Sequence, residues 1–198
     1  MPNAAGDLVV GVLGIQGSIR EHIASLKKAG VLTKEVLTPE DLNEVDGLVI
    51  PGGESSVLSK LMKKNELIEP LKARIEKGFP VYGTCAGMII LSQTADEEMQ
   101  PLAVMDLDVE RNAYGRQVDS FVSDVSMEDI GNFPAVFIRA PQVRRVGANV
   151  KVLAKHGEMP ILCRQGNLLA GSFHPELTDD LRLHQYFIKL CHDARGTH

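Results

Sequence analysis

The first half of the chain alternates short, uniformly apolar runs with longer segments in which apolar residues recur every three or four positions. Uniform runs of this length predict buried strands, and the periodic segments predict amphipathic helices. The predicted strands lie at residues 8–13, 45–50 and 80–82, and the predicted helices at residues 18–30, 55–64 and 66–77. Strands that alternate with helices are typical of a parallel sheet with crossover helices, so the pattern predicts an α/β fold.

The first predicted helix begins at a capping box, in which the Ser18 hydroxyl and the Glu21 carboxylate would satisfy backbone N–H groups at the helix start. Gly30 ends the helix. Its apolar face is formed by Ile19, Ile23 and Leu26. His22 lies within the same helix, and the pattern assigns it a surface or packing role.

The second half changes character, because short apolar segments separated by Gly, Asn and Pro replace the alternation of strands and helices. We expect these segments to be antiparallel additions to the sheet, followed by a helix at residues 178–191. The predicted additions lie at residues 117–125, 135–138, 150–154, 161–164 and 168–172. Since no repeat or linker interrupts the chain, we predict one three-layer domain over residues 1–198, with a mostly parallel central sheet flanked by helices.

Composition and charge exclude several classes of protein. At 198 residues the chain can bury about 70% of its unfolded surface in one core. A net charge of −5 without a basic run argues against a nucleic-acid partner, and no apolar run reaches the length of a membrane span. Residues 1–7 lack the charged and apolar blocks of a signal peptide, so we predict a cytoplasmic protein.

The three cysteines, Cys85, Cys163 and Cys191, are an odd number and contain no C-x-x-C pair. This count argues against a disulfide framework and a structural zinc site, and it favours a reducing compartment. Cys163 falls in a strand pattern and Cys191 follows helical spacing, so both are interpreted as core residues. We expect neither a metal nor a cofactor.

Cys85 stands in a different setting, in the sequence Gly83-Thr84-Cys85-Ala86-Gly87 between a short apolar strand and a helical segment. A sharp strand-to-helix turn strains its central residue and needs small residues two positions before and after it. Glycine fills both positions. The turn would lift the sulfur above the sheet edge and point helix N–H groups at it, which favours the thiolate. Cys85 is therefore the candidate nucleophile, and a buried structural cysteine is the alternative.

A candidate base and its orienting carboxylate follow the apolar segment at residues 168–171. In Ser172-Phe173-His174-Pro175-Glu176, a spacing of two places His174 and Glu176 on the same side of extended backbone. A thiol nucleophile needs such a base, and the imidazole needs a carboxylate to hold its tautomer. The H-x-E triplet also begins the zinc deaminase signature, but the required P-C-x-x-C run is absent.

Two consecutive glycines follow the strand predicted at residues 45–50, in the sequence Pro51-Gly52-Gly53-Glu54-Ser55. They expose backbone N–H groups, so the N–H groups of Gly53 and Ala86 could hold a developing oxyanion. A phosphate loop is the competing interpretation, but the Gly-Lys-Ser/Thr ending of a Walker sequence is missing. A plain turn is the other alternative.

Together, these three segments resemble the triad family of glutamine amidotransferases, whose glutaminase domains carry G-x-C-x-G, a P-G-G loop and a downstream H-P-E. Within that family, the chain is similar to the glutaminase subunits of pyridoxal 5'-phosphate synthase. The resemblance covers nearly the whole chain and departs at no triad position. The further runs that carry it are G-V-L-G-I-Q-G at 11–17, R-E-H at 20–22, V-E-R-N at 109–112, G-R-Q-V-D-S-F at 115–121 and F-I-R-A-P at 137–141.

The resemblance implies a flavodoxin-like, class I glutamine amidotransferase that hydrolyses L-glutamine to L-glutamate and ammonia through a thioester on Cys85, with His174 and Glu176 completing a catalytic triad. It also implies a partner, the synthase subunit that uses the ammonia to make pyridoxal 5'-phosphate, and a glutaminase that is nearly idle until it docks. The implied glutamine-binding residues are Gly53, Glu54, Ser55, Arg111, Ile138 and Arg139.

Two alternatives stay open. The chain could be a glutaminase that serves another synthase, such as one making anthranilate, imidazole glycerol phosphate or guanylate, although the runs at 109–112, 115–121 and 137–141 argue against this. It could instead be a redox-sensing or chaperone-like protein of similar architecture, in which Cys85 is oxidised rather than acylated. A sensor cysteine, however, needs no base and orienting carboxylate.

Overall fold

The computed structural model describes residues 7–94, 99–111 and 120–196, which contain eleven strands and six α-helices. The strands are β1 (Val9–Leu13), β2 (Leu32–Val36), β3 (Gly47–Ile50), β4 (Val81–Thr84), β5 (Leu107–Glu110), β6 (Phe121–Met127), β7 (Gly131–Phe137), β8 (Gln142–Val146), β9 (Lys151–His156), β10 (Met159–Gln165) and β11 (Leu168–Gly171). The helices are α1 (Ile19–Lys28), α2 (Pro39–Leu42), α3 (Ser55–Lys64), α4 (Ile68–Glu76), α5 (Ala86–Leu91) and α6 (Arg182–Arg195), and a 3-10 turn covers Pro175–Leu177.

Nine of the described strands form one sheet in the order β2-β1-β3-β4-β11-β10-β9-β6-β7. The first five pair with one another in parallel, and β10, β9, β6 and β7 continue the sheet antiparallel. β5 and β8 form a separate antiparallel pair. The predicted α/β class is confirmed. One detail is wrong: β11, expected among the antiparallel additions, is parallel to β4 and joins the two halves of the sheet.

Apolar side chains are buried on both faces of the parallel strands, because successive residues of a strand point to opposite sides. Along β1, Val9 and Leu13 belong to one core cluster, and Val10 and Val12 belong to the other. The first cluster is covered by α3, α4 and α5, and the second by α1 and α6. Two helical layers therefore cover the two faces of the parallel part of the sheet.

Several predicted bounds differ from the observed ones, and three strands are missed. The helix expected at 66–77 begins only at Ile68, because Glu66 has a φ of +56°, which no helix accommodates. The helix expected at 178–191 begins at Arg182, since Thr178 is still extended. The first residues of the strand predicted at 117–125 lie outside the described part, and β6 is observed from Phe121. The missed strands are β2, β5 and β8.

The carboxyl ends of β1, β3, β4 and β11 meet at one edge of the sheet, because these strands are parallel. Ligand sites of open α/β sheets lie outside this edge. Gly52 and Gly53 follow β3, Cys85 follows β4, and His174 follows β11. The fold thus collects all three predicted motifs in one place. Among the described residues, no helix is long and apolar enough to cross a membrane.

Candidate active site

Cys85 occupies the turn between β4 and α5 with φ +51° and ψ −103°, a conformation rare for a residue with a side chain. The turn depends on the two flanking glycines. A Cβ at Gly83 would overlap the carbonyl of Gly87, and one at Gly87 would overlap the carbonyl of Ile50. The Cys85 N–H donates to the carbonyl of Gly171 over 2.7 Å, which fixes the bend. The strand-to-helix elbow expected from the sequence is therefore present.

His174 lies between Cys85 and Glu176. Its Nδ1 is 2.8 Å from Glu176 Oε1, and the ring lies close enough to the Cys85 sulfur to interact with it electrostatically. Because Glu176 engages Nδ1, Nε2 is the nitrogen left to face the sulfur. The structure thus brings together the three residues that the sequence nominates as nucleophile, base and orienting carboxylate. Glu176 is buried behind the ring, at 6% exposure.

Electrostatics favour the charged forms of the base and its carboxylate. Burial alone would lower the pKa of His174, but its interactions with Cys85 and Glu176 outweigh burial and raise the pKa to about 10. Burial alone would raise the pKa of Glu176, yet the facing His22, together with hydrogen bonds from His174 and Ser18, lowers it to about 2. At neutral pH the ring can therefore donate a proton to a leaving group.

Ser18 does not form the predicted capping box. Its Oγ donates to Glu176 Oε1 over 2.6 Å, and no side-chain hydrogen bond caps α1. In a capping box the Ser18 oxygen would accept from a backbone N–H of the first helical turn. Here the hydroxyl is instead oriented to donate to a buried carboxylate, a charge-assisted hydrogen bond that is stronger than a neutral cap, so the sequence prediction is wrong at this position.

His22 is fully buried and lies against Glu176, a contact that the sequence interpretation missed. Its Nε2 is 3.4 Å from Glu176 Oε2 and 3.1 Å from Thr84 Oγ1, and its Nδ1 is 3.1 Å from His184 Nε2. The available signal was helical spacing, since position 22 falls on the same face as the apolar positions 19, 23 and 26. That spacing predicts burial of the ring.

A pocket of about 220 Å³ opens beside Cys85. Its described walls include His174 and every residue nominated for the oxyanion or the substrate, namely Gly53, Glu54, Ser55, Ala86, Arg111, Ile138 and Arg139. Residues 112–119 lie outside the described part, and they include the asparagine of the V-E-R-N run and most of the G-R-Q-V-D-S-F run. The volume suits a small ligand, because pockets for drug-sized molecules measure about 300–1,000 Å³.

Charges of both signs surround this pocket. Arg111 is half-buried and Arg139 is exposed, and Arg139 has a strained φ of +45°. The preceding carbonyl, of Ile138, lies 3.9 Å from Cys85 Sγ. The lining also includes the exposed Glu54, whose carboxylate accepts from the N–H and the hydroxyl of Ser56 at the start of α3. The pocket wall thus contains both cationic and anionic side chains.

The glycine loop packs directly against the reacting residues. A Cβ at Gly52 would lie 2.6 Å from His174 Cε1 and 3.3 Å from Cys85 Cβ, so any side chain there would displace them. A Cβ at Gly17 would overlap the carbonyl of Gly52, and the Ser18 N–H donates to that carbonyl over 3.2 Å. The loop is thus held between the segment after β1 and the elbow after β4.

The family model of the SNO glutamine amidotransferase family matches residues 12–193. The chain belongs to this family. The pyridoxal 5'-phosphate synthase subunit PdxT of Thermosipho africanus is 54% identical over 183 residues, which cover 91% of the chain and 97% of that relative. The subunit of the same name from Thermotoga petrophila is 50% identical over 184 residues, covering 91% and 98%. A crystal structure of a glutamine amidotransferase superposes with a TM-score of 0.89 at 47% identity, covering 92% and 98%.

The chain is thus a glutamine amidotransferase, and the predicted family and enzyme class are confirmed. This SNO-family amidotransferase keeps all three cysteines free. Burial raises the pKa of Cys163 to about 12, and burial followed by the nearby Asp46 raises the pKa of Cys191, so both thiols stay protonated at neutral pH. Within the described part of the chain, no group of three or more His, Cys, Asp or Glu could hold a metal ion.

Proposed function

We propose that the chain hydrolyses L-glutamine at Cys85 and delivers the ammonia, as the glutaminase subunit, to a pyridoxal 5'-phosphate synthase. One observation carries the catalytic part: a strained elbow cysteine, a base with its carboxylate, and charges for both ends of an α-amino acid meet at one small pocket. The acceptor follows from the relatives, which are named pyridoxal 5'-phosphate synthase subunit PdxT.

The first half of the reaction acylates the sulfur. The Cys85 thiolate attacks the side-chain amide carbon of glutamine, and the C=O electrons move onto oxygen. The N–H groups of Gly53 and Ala86 hold that oxyanion. The intermediate collapses as the protonated His174 gives its proton to the departing nitrogen, which leaves as ammonia, and a glutamyl thioester remains.

The second half of the reaction returns the enzyme to its starting state. Neutral His174 now takes a proton from a water molecule, whose oxygen attacks the thioester carbon. A second oxyanion forms and collapses with cleavage of the C–S bond, which releases glutamate and restores the thiolate beside an imidazolium. Glu176 stays ionised throughout and holds the ring in one orientation, as its lowered pKa allows.

Recognition of glutamine uses the ionic groups around the pocket. Arg111 and Arg139 suit the α-carboxylate, because a planar guanidinium can donate two parallel hydrogen bonds to it. Glu54 suits the α-ammonium group. Gly53, Ser55 and Ile138 line the same pocket as these charges and the sulfur. An amide that lacks the two charged groups would forgo these charge-assisted hydrogen bonds, which gives the site its selectivity.

The chain acts in this proposal as one glutaminase domain over residues 1–198, within a hetero-oligomer, in the cytoplasm. Ammonia must reach an acceptor before it escapes, which is the reason to dock on a synthase. The loop at Gly52 and Gly53 is the element that docking would rearrange, since glycine permits a peptide flip at low cost. The three free cysteines agree with a reducing compartment.

The test reconstitutes both subunits. The chain is mixed with a candidate pyridoxal 5'-phosphate synthase subunit, ribose 5-phosphate, glyceraldehyde 3-phosphate and glutamine, and pyridoxal 5'-phosphate and glutamate are measured. We expect pyridoxal 5'-phosphate formation to require the chain when glutamine is the nitrogen source. Ammonium chloride should make both the chain and glutamine unnecessary. Glutamate release should rise when the synthase is added. Product formation from glutamine that does not depend on the chain contradicts the proposal, and equal release with and without synthase contradicts the docking step.

A further inference from the structure

Behind the triad, on the side away from the pocket, lies a buried polar cluster that the mechanism above does not use. It contains His22 from α1, Thr84 from β4 and His184 from α6, all with no exposed surface. Neither histidine belongs to the described lining of the pocket beside Cys85. Of the three triad side chains, Glu176 is the one that His22 contacts within this described cluster.

The two oxygens of Glu176 have different partners. Oε1 accepts from Ser18 Oγ over 2.6 Å and from His174 Nδ1 over 2.8 Å. Oε2 is buried without a well-aligned hydrogen bond, and the polar atom that faces it is His22 Nε2 at 3.4 Å. A buried carboxylate oxygen is costly unless a donor faces it. The position of the proton on His22 therefore decides whether this contact is favourable.

The surrounding atoms select one tautomer of His22. If the proton of His22 were on Nδ1, a lone pair of His22 Nε2 would face the carboxylate. His184 Nε2 would then have to accept from His22, so the proton of His184 would be on its own Nδ1, which is buried without a hydrogen-bond partner. With the proton on His22 Nε2, the N–H faces Glu176 Oε2 and Thr84 Oγ1, and Nδ1 accepts from His184 Nε2–H. Only a lone pair is then left on His184 Nδ1, which costs less than a buried donor without an acceptor.

Both rings are neutral at neutral pH, which this arrangement requires. His22 gains the charge that lowers the pKa of Glu176 only when the pH falls below its own lowered pKa. Burial lowers the pKa of His22, and burial together with His22 lowers the pKa of His184 to about 3. The other titratable groups around them are His174, Glu21 on α1 and the buried Tyr82 on β4. Burial, followed by the Glu176 charge, raises the pKa of Tyr82 well above its usual range, so that phenol stays protonated.

We infer that His22 is a positioning residue for the glutaminase reaction, with its tautomer fixed by His184: its Nε2–H restrains Glu176 Oε2, so that Oε1 stays aligned with His174. The inference rests on the proposed function. It extends the row of interacting side chains from Cys85 through His174 and Glu176 to His22 and His184. A loosened Glu176 would impair proton transfer by His174 and leave glutamine binding untouched.

The test compares His22→Gln with His22→Asn. The glutamine amide nitrogen can occupy the place of Nε2, whereas the asparagine side chain reaches only as far as Nδ1. With the chain bound to its synthase, we expect H22N to lower kcat for glutamate release about tenfold to a hundredfold, the range for loss of a hydrogen bond to a charged group, with KM changed less than about twofold. H22Q should recover most of that loss. The acid limb of the kcat–pH profile should move to higher pH in H22N only.

Two controls separate the possible failures. Melting temperatures identify a general loss of folding, and labelling by the glutamine-mimicking electrophile 6-diazo-5-oxo-L-norleucine reports attack by Cys85 without the synthase. The inference is overturned if folded H22N has the kcat and the acid limb of the wild-type protein. It is also overturned if kcat falls equally in H22N and H22Q and the fall follows their melting temperatures. If H22N does not fold, His184→Asn against His184→Gln decides by the same criteria. Turnover that survives Cys85→Ala would instead overturn the proposed function.

Discussion

The parallel and antiparallel halves of the large sheet contribute differently to the site. Strands β1, β3, β4 and β11 are buried along their whole length and are followed by Ser18, Gly53, Cys85 and His174. In the antiparallel half, β6 and β7 alternate more buried and more exposed positions, and β7 leads to Arg139 at the pocket. The proposed reacting groups thus follow strands that are packed on both faces, and the proposed recognition residue Arg139 follows a strand with one open face. The parallel half of the sheet thus holds side chains in fixed positions, and the antiparallel half carries a charged side chain that can adjust its position.

The largest effect should come from exchanging one cysteine in each half. Cys85→Ala removes the proposed nucleophile after β4, and we expect glutamate release to fall at least about 10⁴-fold, because the described lining of the pocket contains no other thiol that could form the thioester. Cys163→Ala, in β10, should keep wild-type turnover and lose only about 1 kcal/mol of stability. Comparable turnover losses in the two folded variants would abolish the distinction between the halves.

The pH dependence of the free energy of unfolding distinguishes the buried carboxylate of Glu176 from the exposed carboxylate of Glu128. The folded pKa of Glu176 is about 2 against an ordinary 4.5, so its ionised form stabilises the fold above pH 4.5, and this contribution is lost as pH falls from 4.5 towards 2. The loss by pH 3 should be about 2 kcal/mol. Denaturant unfolding at pH 6, 4 and 3 should show this loss relative to Glu176→Gln. Glu128→Gln, which breaks an exposed pair with Lys151, should change little.

Substrate affinity tests the recognition side. Arg111→Ala should raise KM for glutamine about tenfold to a hundredfold with kcat changed only a few-fold, because a charged hydrogen bond to the substrate carboxylate is lost. The matched control is Arg144→Ala on β8. This arginine forms an ion pair with Glu110, the residue directly before Arg111, but is not in the described lining of the pocket. Steady-state kinetics of both variants decide the point. A fall in kcat at unchanged KM for Arg111→Ala would move that residue into the catalytic group.

The smallest effect concerns the backbone at Arg139, whose φ is +45°. Both Arg139→Ala and Arg139→Gly lose the guanidinium, so KM should rise in each by a similar factor. Glycine tolerates this φ, and we expect R139G to be about 1 kcal/mol more stable than R139A in denaturant unfolding. Equal stabilities would show that the left-handed conformation at this position stores no strain.

The sequence predicts well the elements whose apolar pattern is strong. It predicts poorly the strands that carry polar residues at solvent-exposed positions. β1, β3 and α3 lie within two residues of their predicted bounds, because uniform apolar runs and amphipathic spacing both report burial directly. β2 is missed because it lies at the edge of the sheet, where Lys34 and Glu35 are tolerated. β8, with two arginines, pairs only with β5 in the small sheet, so its pattern shows little apolar signal.

For the site, local motifs were predictable and contacts across the fold were not. The elbow and the H-P-E loop are short runs whose spacing limits their geometry. The bond from Ser18 to Glu176 joins residues 158 apart, and the contact of His22 with His184 joins residues 162 apart. Helical spacing places each histidine on a buried face, since His184 shares its face with Phe187 and Cys191. Spacing carries no information about which buried polar groups meet.

The left-handed bend at position 85 makes the protein less stable than its sequence would otherwise permit. Glycine at this position would relieve the backbone strain but would remove the thiol, so selection for stability alone would replace the cysteine. Among proteins of this fold, the residue type at the elbow should therefore distinguish active enzymes from homologues that have lost catalytic activity. A copy that has lost its chemistry is expected to drift towards glycine and to melt at a higher temperature.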